Sequence, residues 1–181
     1  MYSAGFLDHI MEEGGAEAPK MVDRKKVRKL YETKFPEFLR LVGSAAYSTK
    51  DKIGDVDLVS TSTLDKVLKW FEERYTVESV QKLGNRIMTM SVRLLSKEPT
   101  KVNVWYSTKE ELPFMLFAYS YPRQFVIAMR RKFKSMGWRL SQYDLKDKGG
   151  ERKTVKYIQD IFKLAKIEYR TPAEEGEKLN L

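Results

Sequence analysis

Two aspartates at alternate positions, Asp55 and Asp57, carry the clearest chemical signal in the sequence. In a β-strand alternate side chains share a face, so both carboxylates are predicted to lie side by side, while Val56 and Leu58 point to the other face. Carboxylates this close repel each other unless a cation lies between them, and oxygen ligands suit Mg²⁺ or Mn²⁺. The pair therefore predicts a divalent metal site. The alternative is an exposed strand face that carries two aspartates.

A Gly-Ser pair, Gly43 and Ser44, ends the apolar run that precedes the aspartates. The backbone N–H groups and the hydroxyl of such a turn can bind phosphate oxygens. A phosphate-binding turn beside a metal-binding carboxylate pair predicts phosphoryl-transfer chemistry.

The composition narrows the classes of function. The 181 residues have a net charge of +9 and are 42% hydrophobic, which predicts a folded protein with a polyanionic partner, nucleic acid before an anionic membrane surface. The absence of cysteine excludes disulfides and thiol catalysis, and with a single histidine, His9, a histidine-based triad is not expected. No apolar run approaches the ~20 residues that span a bilayer, and no secretory signal is predicted.

The pattern of apolar residues predicts an α+β fold, with a mixed sheet carrying the carboxylates and a mostly helical C-terminal lobe. Three regions are expected, at residues 1–22 (a flexible tail), 23–111 (the catalytic lobe) and 112–181 (a nucleotide- and DNA-binding lobe). Residues 45–53 are predicted to form a polar loop and residues 139–145 a short strand. The charged segment from Thr171 onward is expected to fray.

A basic helix is predicted from Pro122 to Met136, in a region without acidic residues. Arg123, Arg130 and Lys134 follow steps of seven and four and therefore share one face of this helix. Such a face is either a solvated basic surface or a surface for nucleic acid or a triphosphate. The charge of the whole chain favours the second interpretation.

Together these pieces resemble a family. The Gly43-Ser44 turn, the Gly-Asp-Val-Asp segment at 54–57, the Gly84 turn and the stretch FAYSYPRQFVIAMRRKFKSMGWRLSQYDL at 117–145 are similar, in order and spacing, to the X family of DNA polymerases within the nucleotidyltransferase superfamily. The length is similar to that of the reduced, two-lobe members. The resemblance implies a nucleotidyltransferase palm followed by a C-terminal lobe that binds the nucleotide.

What the resemblance implies for function is metal-assisted transfer of a nucleotide from a nucleoside triphosphate to a primer 3′-hydroxyl in gapped or primer–template DNA, as in DNA repair. Asp55 and Asp57 would ligate two Mg²⁺ or Mn²⁺ ions. Gly43 and Ser44 would bind the β and γ phosphates, with Tyr119 and Arg123 also at the nucleotide. Lys101, Arg130 and Lys134 would contact DNA. Tyr119 either packs against the sugar or is a core aromatic at a helix end. A monomer in a reducing compartment (cytoplasm, nucleus or viral particle) is expected.

Several positions depart from the family pattern, and one of them affects the chemistry directly. The third catalytic carboxylate is replaced by Asn103, flanked by Val102 and Val104. Asparagine is similar in shape to aspartate, but it has no charge and cannot accept a proton from a 3′-hydroxyl. The change is either an engineered trap of an active enzyme or a natural alteration, and it predicts nucleotide binding without efficient transfer. Two alternatives stay open: a template-independent nucleotidyltransferase, and a non-catalytic nucleic-acid-binding protein on a degenerate polymerase scaffold.

Overall fold

The computed structural model describes residues 20–181, so the predicted tail lies almost entirely outside the described residues. In this part of the chain the helices are α1 (Arg24–Lys34), α2 (Ser44–Tyr47), α3 (Leu64–Glu72), α4 (Leu112–Ser120), α5 (Arg123–Ser135), α6 (Ile158–Ala165) and α7 (Pro172–Lys178). The strands are β1 (Val22–Asp23), β2 (Leu39–Val42), β3 (Lys52–Ile53), β4 (Asp55–Ser60), β5 (Thr76–Leu83), β6 (Ile87–Arg93), β7 (Thr100–Tyr106), β8 (Arg139–Leu140) and β9 (Leu145–Lys146). The predicted α+β class is confirmed.

A five-stranded mixed sheet in the order β2-β4-β7-β6-β5 forms the first part of the fold. Strands β4 and β7 run parallel, and every other neighbouring pair is antiparallel. The period of two that is typical of strands is visible in β6, where Met88, Met90 and Val92 are buried and the residues between them are less so. One face of the sheet is therefore apolar and the other carries the polar side chains.

The apolar face packs against α1 and α3. Its core contains Val56 and Leu58 from β4, with Val67 and Phe71 from α3 among its partners. On the polar face, α4 covers only one end, where Met115 packs on Val42 and Val59. The remainder of that face, around the start of β4 and β7, is left for the polar residues.

The helical lobe, residues 112–181, has its own core. Aromatic side chains of α4, α5 and α6 meet there, including Phe117, Phe133 and Phe162, and the hairpin of β8 and β9 contributes Leu140 and Leu145. Within residues 20–181, no helix combines the length and the apolar character that a membrane crossing needs.

This lobe contacts the sheet lobe, residues 20–111, at several points. The Arg86 guanidinium lies 5.0 Å from the centre of the Tyr143 ring, and it also donates two hydrogen bonds, at 2.9 and 3.1 Å, to Glu111 just before α4. At another contact, α7 packs on α2 so closely that a Cβ on Gly176 would lie 1.7 Å from the carbonyl oxygen of Tyr47.

Three local predictions are wrong. Residues 45–53 are not simply a loop, because they contain most of α2 and the strand β3. Residues 139–145 form the hairpin of β8 and β9 instead of one strand. The segment after Thr171 is helical: the Thr171 hydroxyl accepts from the Glu174 N–H, the Glu174 carboxylate accepts from the Thr171 N–H, and packing on α2 buries Glu175 and Gly176.

Candidate active site

The aspartates of β4 lie on the polar face of the sheet, as predicted. In the parallel pairing with β7, Asp55 lies opposite Lys101 and Asp57 lies opposite Asn103. The Asn103 Nδ2 group donates to Asp55 Oδ2 at 3.2 Å and to Asp57 Oδ1 at 2.9 Å. One amide therefore bridges both carboxylates from the neighbouring strand.

The third strand of this cluster contributes Thr89. Thr89 lies opposite Asn103 in the antiparallel pairing of β6 with β7, and the Thr89 hydroxyl donates to Asn103 Oδ1 at 3.0 Å. Asn103 is buried, so these hydrogen bonds satisfy both ends of an amide that has little access to water. Sequence reasoning missed Thr89, since only the register between strands shows that it faces Asn103.

The Gly43 corner touches the carboxylate pair directly. Val42, the last residue of β2, lies opposite Asp57, and Gly43 then turns with a φ of +66°. A Cβ at Gly43 would lie 2.1 Å from Asp57 Oδ2 and 2.8 Å from Asp57 Cβ. Glycine is therefore needed here both for its backbone conformation and for the space that Asp57 occupies. Ser44 follows as the first residue of α2.

Charge at this cluster is poorly compensated. Burial first, and then the charge of Asp55, raise the pKa of Asp57 to about 7, against the opposing effects of the Asn103 hydrogen bond and of Lys101. Among the described residues, no set of three or more histidine, cysteine, aspartate or glutamate side chains is arranged to hold a metal ion. The carboxylates thus form a pair whose third neighbour is an amide.

Tyr47 is a second residue at the site that sequence reasoning did not select. Burial raises the pKa of its hydroxyl most, and the charges of Asp57 and then Asp55 add to that rise. Its position at the end of α2 explains this, because the helix begins at the corner that touches Asp57. No sequence pattern pointed to Tyr47, because most of α2 lies in a segment predicted to be a loop.

The helical lobe reaches the cluster through Tyr119. Its carbonyl oxygen accepts from the Gly43 N–H at 2.8 Å, and its ring stacks on Trp105 with 4.7 Å between ring centres. Burial raises the pKa of the Tyr119 hydroxyl. Tyr119 therefore ties the two lobes together next to the corner.

Arg130 lies beside Tyr119 and is partly buried. Burial lowers the pKa of its guanidinium, and Tyr119 opposes that effect. Its Nε atom is buried without a hydrogen-bond partner in the part of the chain that the structure describes. The other predicted contacts are exposed: Arg123 and Lys134 lie in the first and last turns of α5, and Lys101 lies near the start of β7.

Residues 116–175 match the family model described as DNA polymerase beta thumb. The match covers about a third of the chain and runs from α4 to α7. No curated protein matches the chain. At the level of the family, the match supports an X-family, polymerase β-like protein with DNA-binding and nucleotidyltransferase character, as the sequence predicted.

Proposed function

We propose that the chain is a DNA-directed DNA polymerase of the X-family type, acting on gapped or primer–template DNA in repair. The observation that carries the proposal is the contact of the Gly43 corner with Asp57, beside a lobe that matches a polymerase thumb. A glycine turn that opens a helix beside a carboxylate pair suits a reaction in which a triphosphate is held and transferred.

The residues present at the carboxylate pair fit a divalent cation. Asp55 and Asp57 offer oxygen ligands on one strand face, and the raised pKa of Asp57 indicates negative charge that a cation would compensate. We propose that this pair holds Mg²⁺ or Mn²⁺, two ions in the full reaction. When bound, such ions would stabilise the attacking and leaving oxygens.

The third position fits a second ion poorly. Asn103 brings no charge, and its carbonyl oxygen accepts from Thr89 while its nitrogen faces the carboxylates. A half-turn of the amide would exchange the two atoms, and the Thr89 hydroxyl could then accept instead of donating. Even after that rotation, an amide cannot take the proton of a 3′-hydroxyl. The chain is therefore expected to bind a nucleotide and to transfer it slowly.

The other side chains have positioning roles in this proposal. The corner at Gly43 and Ser44 would hold the β and γ phosphates. Tyr119 fixes that corner by accepting the Gly43 N–H, and Arg123 would contact the nucleotide. Contacts with the DNA backbone are assigned to exposed or partly exposed basic groups, namely Lys101, Arg130 and Lys134.

The test is the variant Asn103→Asp in primer extension on a gapped duplex, with Mg²⁺ and with Mn²⁺. Because it restores a group that can accept the 3′-hydroxyl proton, extension should rise by at least ~10²-fold. Asn85→Asp, an equal change at an exposed turn residue, is the matched control and should leave extension unchanged. No rise with Asn103→Asp would contradict the proposal.

The variant Asn103→Asp also allows a test that does not depend on enzymatic activity, because its thermal stability can be measured. In chelator the variant should lose stability, since two donated hydrogen bonds are replaced by a third carboxylate. Added Mg²⁺ should restore it. If thermal unfolding of the variant did not respond to Mg²⁺, the three side chains would not form a cation site.

One alternative has its own support. The Asn103 amide satisfies both carboxylates without a cation, which favours a non-catalytic, nucleic-acid-binding protein on a polymerase scaffold. In that case Asn103→Asp would bind metal but would not extend a primer. Extension of single strands as well as gapped duplex would instead indicate a template-independent transferase.

We also propose that the protein is a monomer that works in a reducing compartment.

A further inference from the structure

Helix α1 is a second basic helix, on the side of the sheet away from the carboxylates. Its eleven residues contain one acid, Glu32, and six bases. The bases are Arg24, Lys25, Lys26, Arg28, Lys29 and Lys34. The apolar side of the helix is used within the fold, since Val27 is buried and Leu30 packs on the sheet core. All four lysines are exposed.

These charges weaken the helix that carries them. Its first turn holds three cations and no acid, although the positive end of the helix dipole lies there. Lys25 and Lys29 are also four residues apart, a spacing at which like charges repel. The Asp23 carboxylate caps the helix by accepting from the Lys26 N–H at 2.9 Å, which offsets only part of this effect. The positive charge of α1 therefore does not stabilise the helix.

Little of the charge is neutralised by neighbours. Lys25 lies 3.9 Å from Asp51, but both side chains are largely exposed, so this pair contributes little. Within residues 20–181, no ion pair within 4.0 Å involves Arg28, Lys29 or Lys34. Most of the positive charge of α1 thus faces solvent.

The start of α1 adjoins the loop between the Gly43 corner and the carboxylates. The Arg24 N–H donates to the Asp51 carbonyl at 2.8 Å, and Arg24 Nε donates to the Lys50 carbonyl at 2.8 Å. Lys50 and Lys52 are exposed, and Asp55 follows three residues after Lys52. These two lysines and the basic residues of α1 are together called the α1 surface below.

We propose that the α1 surface binds the phosphate backbone of a duplex DNA arm that extends away from the reaction point. The proposal rests on the proposed function only in taking DNA as the partner. Single-strand binding is disfavoured because it relies on exposed aromatic rings for stacking, and the one ring on α1, Tyr31, packs edge-on against Phe35. Insertion into a membrane is disfavoured because the apolar side of α1 is already buried.

The test is the double variant Lys25→Glu, Lys29→Glu, measured by equilibrium binding to a gapped duplex of about 30 base pairs at several salt concentrations. Affinity at low salt should fall about tenfold or more, and the salt dependence should lose on the order of two counterions. An acid at position 25 suits the first turn of a helix, so unfolding is not the expected cause of any loss. Lys25→Arg, Lys29→Arg should keep wild-type binding and salt dependence.

The matched control is Lys66→Glu, Lys69→Glu. Both lysines are exposed on α3, which covers the same sheet face, and the charge change is identical. The control should bind DNA within about twofold of wild type. Equal losses in the two variants, or an unchanged salt dependence, would overturn the proposal. So would a loss of binding to phosphatidylserine vesicles with DNA binding intact.

This outcome is separable from that of the proposed function. If Asn103→Asp failed to extend a primer while the α1 variants still showed selective loss of DNA binding, only the polymerase proposal would fall. Restored extension together with unchanged DNA binding by the α1 variants would overturn the α1 surface alone.

Discussion

The sheet lobe and the helical lobe differ in how their sequences relate to function. The helical lobe matches the thumb family model over residues 116–175, a region organised by a packed aromatic core. In the sheet lobe, the candidate site depends on a few polar residues: Gly43, Asp55, Asp57, Thr89 and Asn103. Packing patterns are spread over many positions and survive single changes, whereas one substitution at Asn103 alters the chemistry. Whether the helical lobe is similar to a polymerase thumb and whether the sheet lobe can catalyse nucleotide transfer are therefore separate questions.

The largest effect is expected from Gly43→Ala. The new Cβ would meet Asp57 Cβ at 2.8 Å, so rotation of the carboxylate cannot relieve the clash. We expect a loss of at least ~3 kcal/mol in the free energy of unfolding, together with loss of Mn²⁺ binding. Urea denaturation and a Mn²⁺ titration measure the two effects.

Gly84→Ala is the control for that experiment. Gly84 also has a positive φ, of +63°, but apart from its chain neighbours no atom of residues 20–181 lies within 4 Å of where its Cβ would be. It should lose only about 1 kcal/mol, from backbone strain alone. Similar losses for the two glycines would mean that the contact between the corner and Asp57 is not important.

The next largest effect is expected in the pH dependence of stability, and it arises from Asp57 in the sheet lobe. The pKa of Asp57 is raised in the folded protein to about 7 from 3.8, so its contribution to stability is greatest below pH 4 and is lost as the pH rises through 7. In chelator, unfolding free energy should therefore fall between pH 4 and 8 by a few kcal/mol more in wild type than in Asp57→Asn. Denaturant titrations at several pH values measure this difference.

Asp51→Asn serves as the comparison for the pH experiment, because the Asp51 side chain is 84% exposed. Its stability curve should run parallel to that of wild type. If the Asp57→Asn curve were parallel as well, the carboxylate pair would not carry uncompensated charge.

The smallest effect is expected at Arg86, which makes one of the contacts between the lobes. Arg86→Ala removes the two hydrogen bonds to Glu111 and the stacking on Tyr143, for a loss of about 1 kcal/mol at this partly exposed site. Amide hydrogen exchange should become faster in the hairpin of β8 and β9, which flanks Tyr143.

Arg93→Ala breaks a similar ion pair, with Glu78, inside the sheet lobe. In the Arg93→Ala variant, amide hydrogen exchange should become faster in β5 and β6 and should not change in the helical lobe. Faster exchange in both lobes with either variant would show that they unfold as one unit.

Much of the sheet lobe could be predicted because its strands follow local rules. The period of two placed Asp55 and Asp57 on one face of a strand, and the family resemblance added Asn103 to the same site. Which atoms meet on that face could not be predicted. Thr89 reaches Asn103 only through the register of β6 on β7, which depends on packing across the whole sheet.

The errors in the rest of the chain have a related cause. Helix α2 has only four residues and α7 is mostly charged, so neither has a strong apolar pattern of its own. They are stabilised by packing on each other. The charge of α1 was visible in the sequence, and three cations in a first turn is a signal that periodicity alone does not register.

The close packing of Gly176 on Tyr47 has a consequence for biosynthesis. Tyr47 and Gly176 are far apart in the sequence. Helix α2, which begins at the Gly43 turn, therefore cannot pack on α7 until α7 has been synthesised. A nascent chain that already contains Asp55 and Asp57 would still lack the contact between α2 and α7. The turn is expected to be among the last regions of the protein to become ordered during translation.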